Sequence, residues 1–347
     1  PPNVQILGLA PPAVHVGGDI RFDLVAADLQ ALGQDGQDAP AAGFRVSRVR
    51  PIVDVSLGTV FSSRVAFEIG QDDSTTTYGD AGLTVDVDDW ARGWYLTGRE
   101  VWLQAEGGTT IHHRLRVGLQ EPTFAARDTY EQEYPFAGDA RADFGRAEGF
   151  IPEEDLGVAW RGEIGETWAI DLQALNGSGG EAFDDNDGKD FIARITASPG
   201  SFARIGVSGL FGSRREDSTG QQAQGAVTID LHGPHQRLLL EGVAGSTTED
   251  RVETVYSGFR ASGAWVVPSK SQVLSSLDLV ARFSFADPVW GMDAPDAHWG
   301  PAAALWLAWR GRPDQDIRTG ATWEMYVPQD SAEAVEHNVY VEAAWRF

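Results

Sequence analysis

The sequence predicts an all-β fold, a 16-stranded antiparallel transmembrane β-barrel, and three features of the chain lead to that prediction. First, apolar and polar residues alternate with period 2 almost throughout, and no helix-period stripe of any length occurs. Second, the polar face carries Arg, Asp and Glu in mid-strand, which a wet lumen accommodates and a lipid-facing surface does not. Third, short and long connections alternate along an even number of strands, as in bacterial outer-membrane barrels.

Each predicted strand is a run of alternation bounded by Gly, Pro or polar residues. Near residue 280, for example, Leu279 belongs to an apolar face that we expect to meet lipid, and Asp278 to a polar face that we expect to meet water. The sixteen predicted strands are 14–28, 43–56, 58–70, 96–106, 110–120, 155–164, 167–176, 190–198, 202–212, 222–231, 236–246, 252–267, 272–286, 299–310, 315–327 and 335–347. A soluble sandwich would also alternate, but it gives no reason for loop lengths to segregate by parity.

The connection lengths also predict the orientation, because short turns face the periplasm and long loops face outward in such barrels. The long connections are 29–42, 71–95, 121–154, 177–189, 213–221, 247–251, 287–298 and 328–334. We therefore expect residues 1–13 to form a periplasmic N-terminal segment and residues 14–347 to form the barrel, as a single domain. Outward aromatic residues near both strand ends, among them Trp168, Trp265 and Phe211, match the girdles expected at the two membrane interfaces.

Composition excludes several classes of function. The chain of 347 residues has 27 basic and 51 acidic residues, and its formal net charge of -24 argues against nucleic-acid binding. The absence of Cys excludes disulfides, thiolate metal sites and Cys nucleophiles. The sequence contains no window of 18 continuous apolar residues, so it predicts no helical membrane span. The first residues lack the pattern of a secretory signal, and we expect a mature outer-membrane protein whose signal peptide has been removed.

The sequence predicts no catalytic residues and no cofactor. It contains neither a His-x-x-x-His pattern nor a Gly-x-Ser-x-Gly pattern, although spacing alone leaves an outer-membrane hydrolase open. The weak candidate for a calcium site is the trio Asp184, Asn186 and Asp187, which offers alternate carboxylates before a Gly. No closing Glu and no flanking helices accompany it, so a solvated hairpin loop is the simpler interpretation. The other acidic loops are candidates for bridging lipopolysaccharide phosphates through divalent cations.

Three stretches resemble the phosphate-selective porin O and P family of outer-membrane channels. Residues 44–50 are similar to its Arg-dense second strand, and residues 115–122 to the strand that leads into its long third loop. Residues 175–194 resemble its strand–loop–strand unit, and Phe347 matches the C-terminal aromatic residue of outer-membrane proteins. The resemblance implies a 16-stranded, trimeric porin whose third loop, here 121–154, folds into the barrel and narrows it. The family's phosphate selectivity rests on Arg and Lys, and Lys occurs here only at positions 189 and 270.

The expected pore-lining residues are arginines whose charge is fixed at any working pH. A guanidinium offers forked donors to carboxylate or phosphate, and a wall of them concentrates anions. The arginines that we expect in the pore are Arg45, Arg48, Arg50, Arg64, Arg114 and Arg116. The alternative is that arginines and inward acids simply pair with one another across a wet interior, and the sequence leaves both interpretations open.

Segment 121–154 is expected to add acidic pore-lining residues opposite this basic wall. They are Glu131, Glu133, Asp139 and Asp143. An acidic loop facing a basic wall would create a transverse field, which polar, oriented solutes cross better than apolar ones. The alternative is an external cap that never enters the lumen.

These observations predict an outer-membrane porin for passive diffusion of small hydrophilic solutes, with an anion preference inside the pore. Its expected partners are outer-membrane lipid and lipopolysaccharide, small anionic or polar solutes, and two further copies of the chain in a homotrimer; no nucleic acid is expected. The second interpretation is a poorly conducting barrel with a structural or complex-forming role.

Overall fold

Sixteen antiparallel strands, each paired with its neighbours in the chain, form a closed barrel in which β1 pairs with β16. The computed structural model describes residues 12–28, 43–71, 94–125, 154–177, 188–213, 221–249, 252–287, 297–311, 315–329 and 335–347. The strands are β1 (Ala13–Asp28), β2 (Gly43–Leu57), β3 (Phe61–Gln71), β4 (Trp94–Gly107), β5 (Ile111–Gln120), β6 (Asp155–Ile164), β7 (Trp168–Leu175), β8 (Asp190–Gly200), β9 (Ala203–Ser213), β10 (Gln221–His232), β11 (Gln236–Glu249), β12 (Val252–Pro268), β13 (Leu274–Asp287), β14 (His298–Trp309), β15 (Asp316–Pro328) and β16 (Glu336–Arg346).

The predicted all-β, 16-stranded antiparallel barrel is confirmed, and every predicted strand overlaps an observed one. β1 begins at Ala13, so the barrel includes one residue that the prediction assigned to the N-terminal segment. Closure is completed beyond the last strand, because the Phe347 amide donates to the Gly18 carbonyl at 3.0 Å and the Phe347 carbonyl accepts from the Gly18 amide at 2.9 Å. A closed barrel leaves no strand edge unpaired, which a membrane requires. Among the described residues, no helix is long and apolar enough to cross a membrane.

The two faces of the strands differ as the alternation predicts. Large apolar side chains of one parity are exposed on the outside, with Leu103 70% and Leu279 44% exposed. Side chains of the other parity point inward and form ion pairs, so the hydrogen bonds and charges lie within the barrel. Asp278 corrects one expectation: it faces inward as predicted, yet it is only 1% exposed and is paired with Arg318 rather than with water.

Connection lengths alternate with one exception. The predicted long connection 247–251 is wrong, because β11 and β12 continue to pair up to Glu249 and Val252 and leave only residues 250–251 between them. The extension adds three residue pairs, Thr247 with Thr254, Thr248 with Glu253 and Glu249 with Val252, and each pair includes at least one β-branched residue. Such residues favour extended strands.

The β-bulges at Ser47 and Arg99 change which residues face the lumen. Ser47 has no partner in β1, because Arg48 pairs with Arg21 and Val46 with Phe22. On β4, Arg99 is the extra residue opposite the step from Ala66 to Phe67. A bulge shifts the phase of alternation by one residue. It therefore lets β4 direct both Arg99 and its neighbour Glu100 towards inward carboxylates and arginines.

Candidate functional site

Two sets of charged side chains inside the barrel differ in their exposure to solvent. We call the inward residues Asp54, Arg64, Glu106, His112, Arg114, Arg116, Arg161 and Glu163, on β2–β6, the open wall. We call the inward residues Arg21, Glu241, Arg260, Arg282, Glu324 and Glu342, on β11–β16 and β1, the packed wall. The side chains of the open wall are more exposed to solvent than those of the packed wall.

The open wall is a network of ion pairs that remain accessible. Arg64 binds both carboxylate oxygens of Asp54, at 2.8 and 3.2 Å, and reaches Glu100 at 3.4 Å. Arg114 lies between two carboxylates, Glu106 at 3.3 Å and Glu163 at 3.5 Å. The Arg114 side chain is 38% exposed and that of Glu163 27%. Charges with this much exposure are hydrated, and their pairing contributes little to stability.

Two further open-wall residues extend the network towards β7. Arg161 joins Glu163, at 2.9 Å, to Asp171, at 3.1 Å. His112 stands near the same Glu163 and near Glu106, with nitrogen–oxygen distances of 3.6 and 3.8 Å. Cations and carboxylates therefore alternate around this part of the wall, which makes it polar without a large excess of either sign.

The packed wall has the same residue types with almost no exposure. Arg260 donates to Glu241 at 2.6 Å, and their side chains are 3% and 0% exposed. Arg282 donates to Glu324 at 2.8 Å, and both are similarly buried. Arg21 pairs with Glu342, which also accepts from the Thr322 hydroxyl. Buried pairs of this kind act on folding, because removing one partner leaves the other charge without compensation.

Five of the six predicted pore arginines have described side chains, the exception being Arg45. All five side chains face the lumen, and four of them pair with carboxylates. Arg48 binds Asp19 at 2.6 Å, and Arg50 binds Glu68 at 2.6 Å. Arg64 and Arg114 have the open-wall partners given above. The Cα of Arg45 pairs with Asp23, but its side chain lies outside the described residues. Arg48, Arg50, Arg64 and Arg114 therefore follow the alternative interpretation, in which arginines and inward acids pair with one another.

Arg116 differs from the other predicted arginines in its surroundings. Its Nε and Nη2 donate to the neutral side chain of Gln104, at 3.3 and 3.0 Å. Its guanidinium lies over the indole of Trp102, with 4.1 Å between Cζ and the ring centroid. The Trp102 Nε1 donates to Glu100 at 2.7 Å, which fixes the ring. A cation stacked on an indole is attracted by the electron-rich ring face.

The described beginning of segment 121–154 enters the barrel. The amide of Ala125 donates to the Ser208 hydroxyl on β9 at 3.1 Å, and the amide of Thr123 donates to Gln173 on β7 at 2.7 Å. The Phe124 side chain is fully buried. It belongs to a cluster of inward apolar residues from β7–β13, which comprises Ala125, Leu175, Ile192, Leu210, Ala226, Val243, Tyr256 and Ala286.

The far end of the same segment is also attached to the inner wall. Arg99 donates to Glu154 at 3.1 Å and to Glu68 at 2.8 Å. The predicted acidic residues Glu131, Glu133, Asp139 and Asp143 lie outside the described residues.

Arg99 and Trp102 are among the residues near the site that the sequence analysis did not predict. Arg99 would face lipid under strict alternation, and no residue pattern signals the bulge that turns it inward. Trp102 has the same parity as Glu100 and Gln104, so its inward position could have been read from the alternation. The girdle pattern predicts aromatic residues only on the outer face, whereas Trp102 lies on the inner face.

No metal centre is found in the described part of the chain, where no three His, Cys, Asp or Glu side chains are grouped to hold an ion. The calcium candidates Asp184, Asn186 and Asp187 lie outside the described residues.

Comparison with known proteins supports the fold. No family model matches the chain, and no curated protein matches it. The chain is similar to the trimer form of OmpT, an outer membrane protein of Vibrio cholerae, with 11% identity, 97% of this chain and 100% of that chain covered, and a TM-score of 0.62. It is also similar to the outer membrane channel DcaP of Acinetobacter baumannii, with 13% identity, 97% of each chain covered and a TM-score of 0.61. A third is an anion-selective porin from Comamonas acidovorans, with 10% identity, 97% and 100% coverage and a TM-score of 0.61. The chain therefore has the barrel fold of outer-membrane proteins.

Proposed function

We propose that this protein is an outer-membrane porin, a passive diffusion channel for small hydrophilic solutes. The observation that carries the proposal is the open wall, a strip of solvent-exposed ion pairs on the inner face of the barrel. The outer face of the same barrel carries large apolar side chains that suit contact with lipid. Solutes that pass along such a wall exchange part of their hydration for contacts with fixed charges of both signs. The similarity in fold to solved porins and channels supports it.

The proposal includes a preference for anions, and Arg116 is its main support. Most inward arginines are neutralised by adjacent carboxylates, whereas Arg116 has a neutral hydrogen-bond partner. The charge of acidic loops farther out is screened over about 8–10 Å at physiological salt. The overall charge of -24 therefore does not have to make the pore cation-selective. The Comamonas neighbour, by its title anion-selective, agrees with this preference.

The narrower features of the proposal are the orientation, the oligomer and the family. We propose short turns in the periplasm, long loops outside near lipopolysaccharide, and a homotrimer, which the trimeric OmpT neighbour supports. We also propose that 121–154 constricts the lumen, which agrees with the entry of Phe124. We also propose that the chain is related to the phosphate-selective porin O and P family. This relationship does not require the solute to be phosphate.

Conductance in a planar bilayer tests the proposed function. The reversal potential in a KCl gradient is measured for the wild type and for Arg114→Ala combined with Arg116→Ala. We expect open channels with an anion preference that falls in the double variant. A cation preference in the wild type would contradict the anion proposal and would point to the acidic residues of 121–154.

The second candidate function is a poorly conducting structural barrel. The packed wall and the burial of Phe124 inside the lumen favour it, because both reduce the space that water can occupy. Wild-type barrels that insert into the bilayer but show no ion current would support this candidate over a porin.

A further inference from the structure

The guanidinium of Arg116 has one hydrogen-bonding edge occupied and one edge without a partner. Gln104 Oε1 accepts from Nε and Nη2, and no described residue accepts from Nη1. The unused edge presents one N–H from each of Nη1 and Nη2, and this fork matches the two oxygens of a carboxylate or phosphate group.

The neighbouring acids are arranged so that they do not occupy this edge. Glu100 accepts from Trp102 Nε1 through one oxygen, at 2.7 Å, and from Arg64 through the other, at 3.4 Å. Gln104 lies directly opposite Arg116 in the strand register, at the place where a Glu would form an ion pair. Two residues away, Arg114 has such a partner in the same register, Glu106.

The position of the guanidinium is fixed by its neighbours on β4 and β5. Trp102 lies under it, and Gly118 is the residue directly opposite Trp102. Gly118 has φ +134°, and a Cβ there would lie 2.1 Å from the Val101 carbonyl oxygen and 2.8 Å from the Cα of Trp102. The backbones of β4 and β5 therefore approach so closely here that residue 118 has no room for a side chain. An arginine held in this way loses less side-chain entropy when it binds an anion.

We propose that Arg116, held by Trp102 and Gln104, is an oxyanion-binding site in the lumen that takes the carboxylate or phosphate group of a small solute. Trp102 and Gln104 are positioning residues. This inference rests on the proposed function, which supplies the solute's route to the site. It goes further in assigning binding to one guanidinium. It also predicts that oxyanions bind there better than chloride, because an oxyanion offers one oxygen to each N–H of the fork whereas chloride offers a single acceptor atom to both.

The test measures how succinate, and separately inorganic phosphate, reduce the KCl current of the wild-type channel in planar bilayers. The decisive variant is Gln104→Glu, which keeps Arg116 but places a carboxylate opposite it. The matched control is Arg161→Gln, which changes the net charge of the open wall by the same amount and removes an arginine that already has carboxylate partners. We expect Gln104→Glu to raise the half-blocking concentration about tenfold or more. Arg161→Gln should raise it much less.

Trp102→Phe and Trp102→Leu separate positioning from general damage. We expect Trp102→Phe to retain most of the block and Trp102→Leu to weaken it, while both keep an open-channel KCl current. If Arg161→Gln weakens the block as much as Gln104→Glu, the block reports net charge and the assigned site is wrong. A wild-type channel that conducts KCl but is not blocked by either anion would also refute the site while leaving the porin function intact. An absence of any current would instead refute the proposed function.

Discussion

Replacing Glu241 with Gln tests whether the packed wall holds the barrel together. The change preserves the size of the side chain and removes its charge, which leaves Arg260 without the carboxylate that it now contacts at 2.6 Å. The side chains of Glu241 and Arg260 are 0% and 3% exposed, so water cannot replace the lost partner. Breaking a buried pair from one side costs about 3–5 kcal/mol.

The matched control is Asp54→Asn on the open wall. Asp54 also binds an arginine through two oxygens, but its side chain and that of Arg64 are 30% and 32% exposed. Water can therefore solvate Arg64 after the change, and the expected loss is about 0.2–1 kcal/mol. The pair of variants thus compares the same chemical change at two levels of burial.

The assay is equilibrium unfolding in urea of the barrel folded in lipid vesicles, followed by the fluorescence of its 12 Trp residues. The account predicts that Glu241→Gln lowers the free energy of unfolding several times more than Asp54→Asn does. Equal losses in the two variants would refute the distinction between a packed and an open wall.

Three other predictions address the membrane face, a strained backbone position within β5 and the entry of segment 121–154 into the barrel. Leu279→Arg should lower the free energy of unfolding in vesicles by about 2–4 kcal/mol, because it places a charge against lipid. His112→Arg should lower it little, because residue 112 lies beside two carboxylates in the lumen. Equal losses in the two variants would contradict the assigned faces. Gly118→Ala should destabilise the barrel by about 1–3 kcal/mol, because of its positive φ and close backbone contacts, whereas Gly107→Ala, with open space around its Cβ, should not; heat-induced shifts in gel mobility measure both. Phe124→Ala should increase the single-channel conductance, because the buried ring attaches the start of 121–154 to the inner wall, and an unchanged conductance would show that this attachment does not limit the pore.

The fold was predictable because period-2 alternation occurs in all sixteen strands and because short and long connections alternate along most of the chain. A single misplaced boundary, such as the start of β1 at Ala13, does not alter the strand count. The connection between β11 and β12 was mispredicted because Ser and Thr suit both loops and strands, and only pairing with β12 decides between them.

The site was less predictable, for two physical reasons. Bulges at Ser47 and Arg99 change the parity of the residues beyond them, and they depend on pairing with the neighbouring strand rather than on local residue preferences. The exposure of an inward side chain depends on which strands face each other across the lumen. The sequence therefore could not show that the Glu241 side chain is buried whereas that of Glu163 is exposed to solvent. It also could not show that Arg116 hydrogen-bonds to Gln104 and to no carboxylate of the described residues, since the pairing of each arginine depends on strand register.

Thiol modification of an open channel tests most directly whether solutes pass along the open wall. The chain has no Cys, so a single introduced Cys is the only thiol. His112→Cys places it on the open wall, where the native side chain is 41% exposed, and Ser262→Cys places it on the inner face of β12, where Ser262 is 1% exposed. A small, negatively charged thiol reagent is added during a bilayer recording, and its attachment is checked by mass. The account predicts that the current falls with His112→Cys and is unchanged with Ser262→Cys. A His112→Cys channel that becomes modified without any change in current would contradict it.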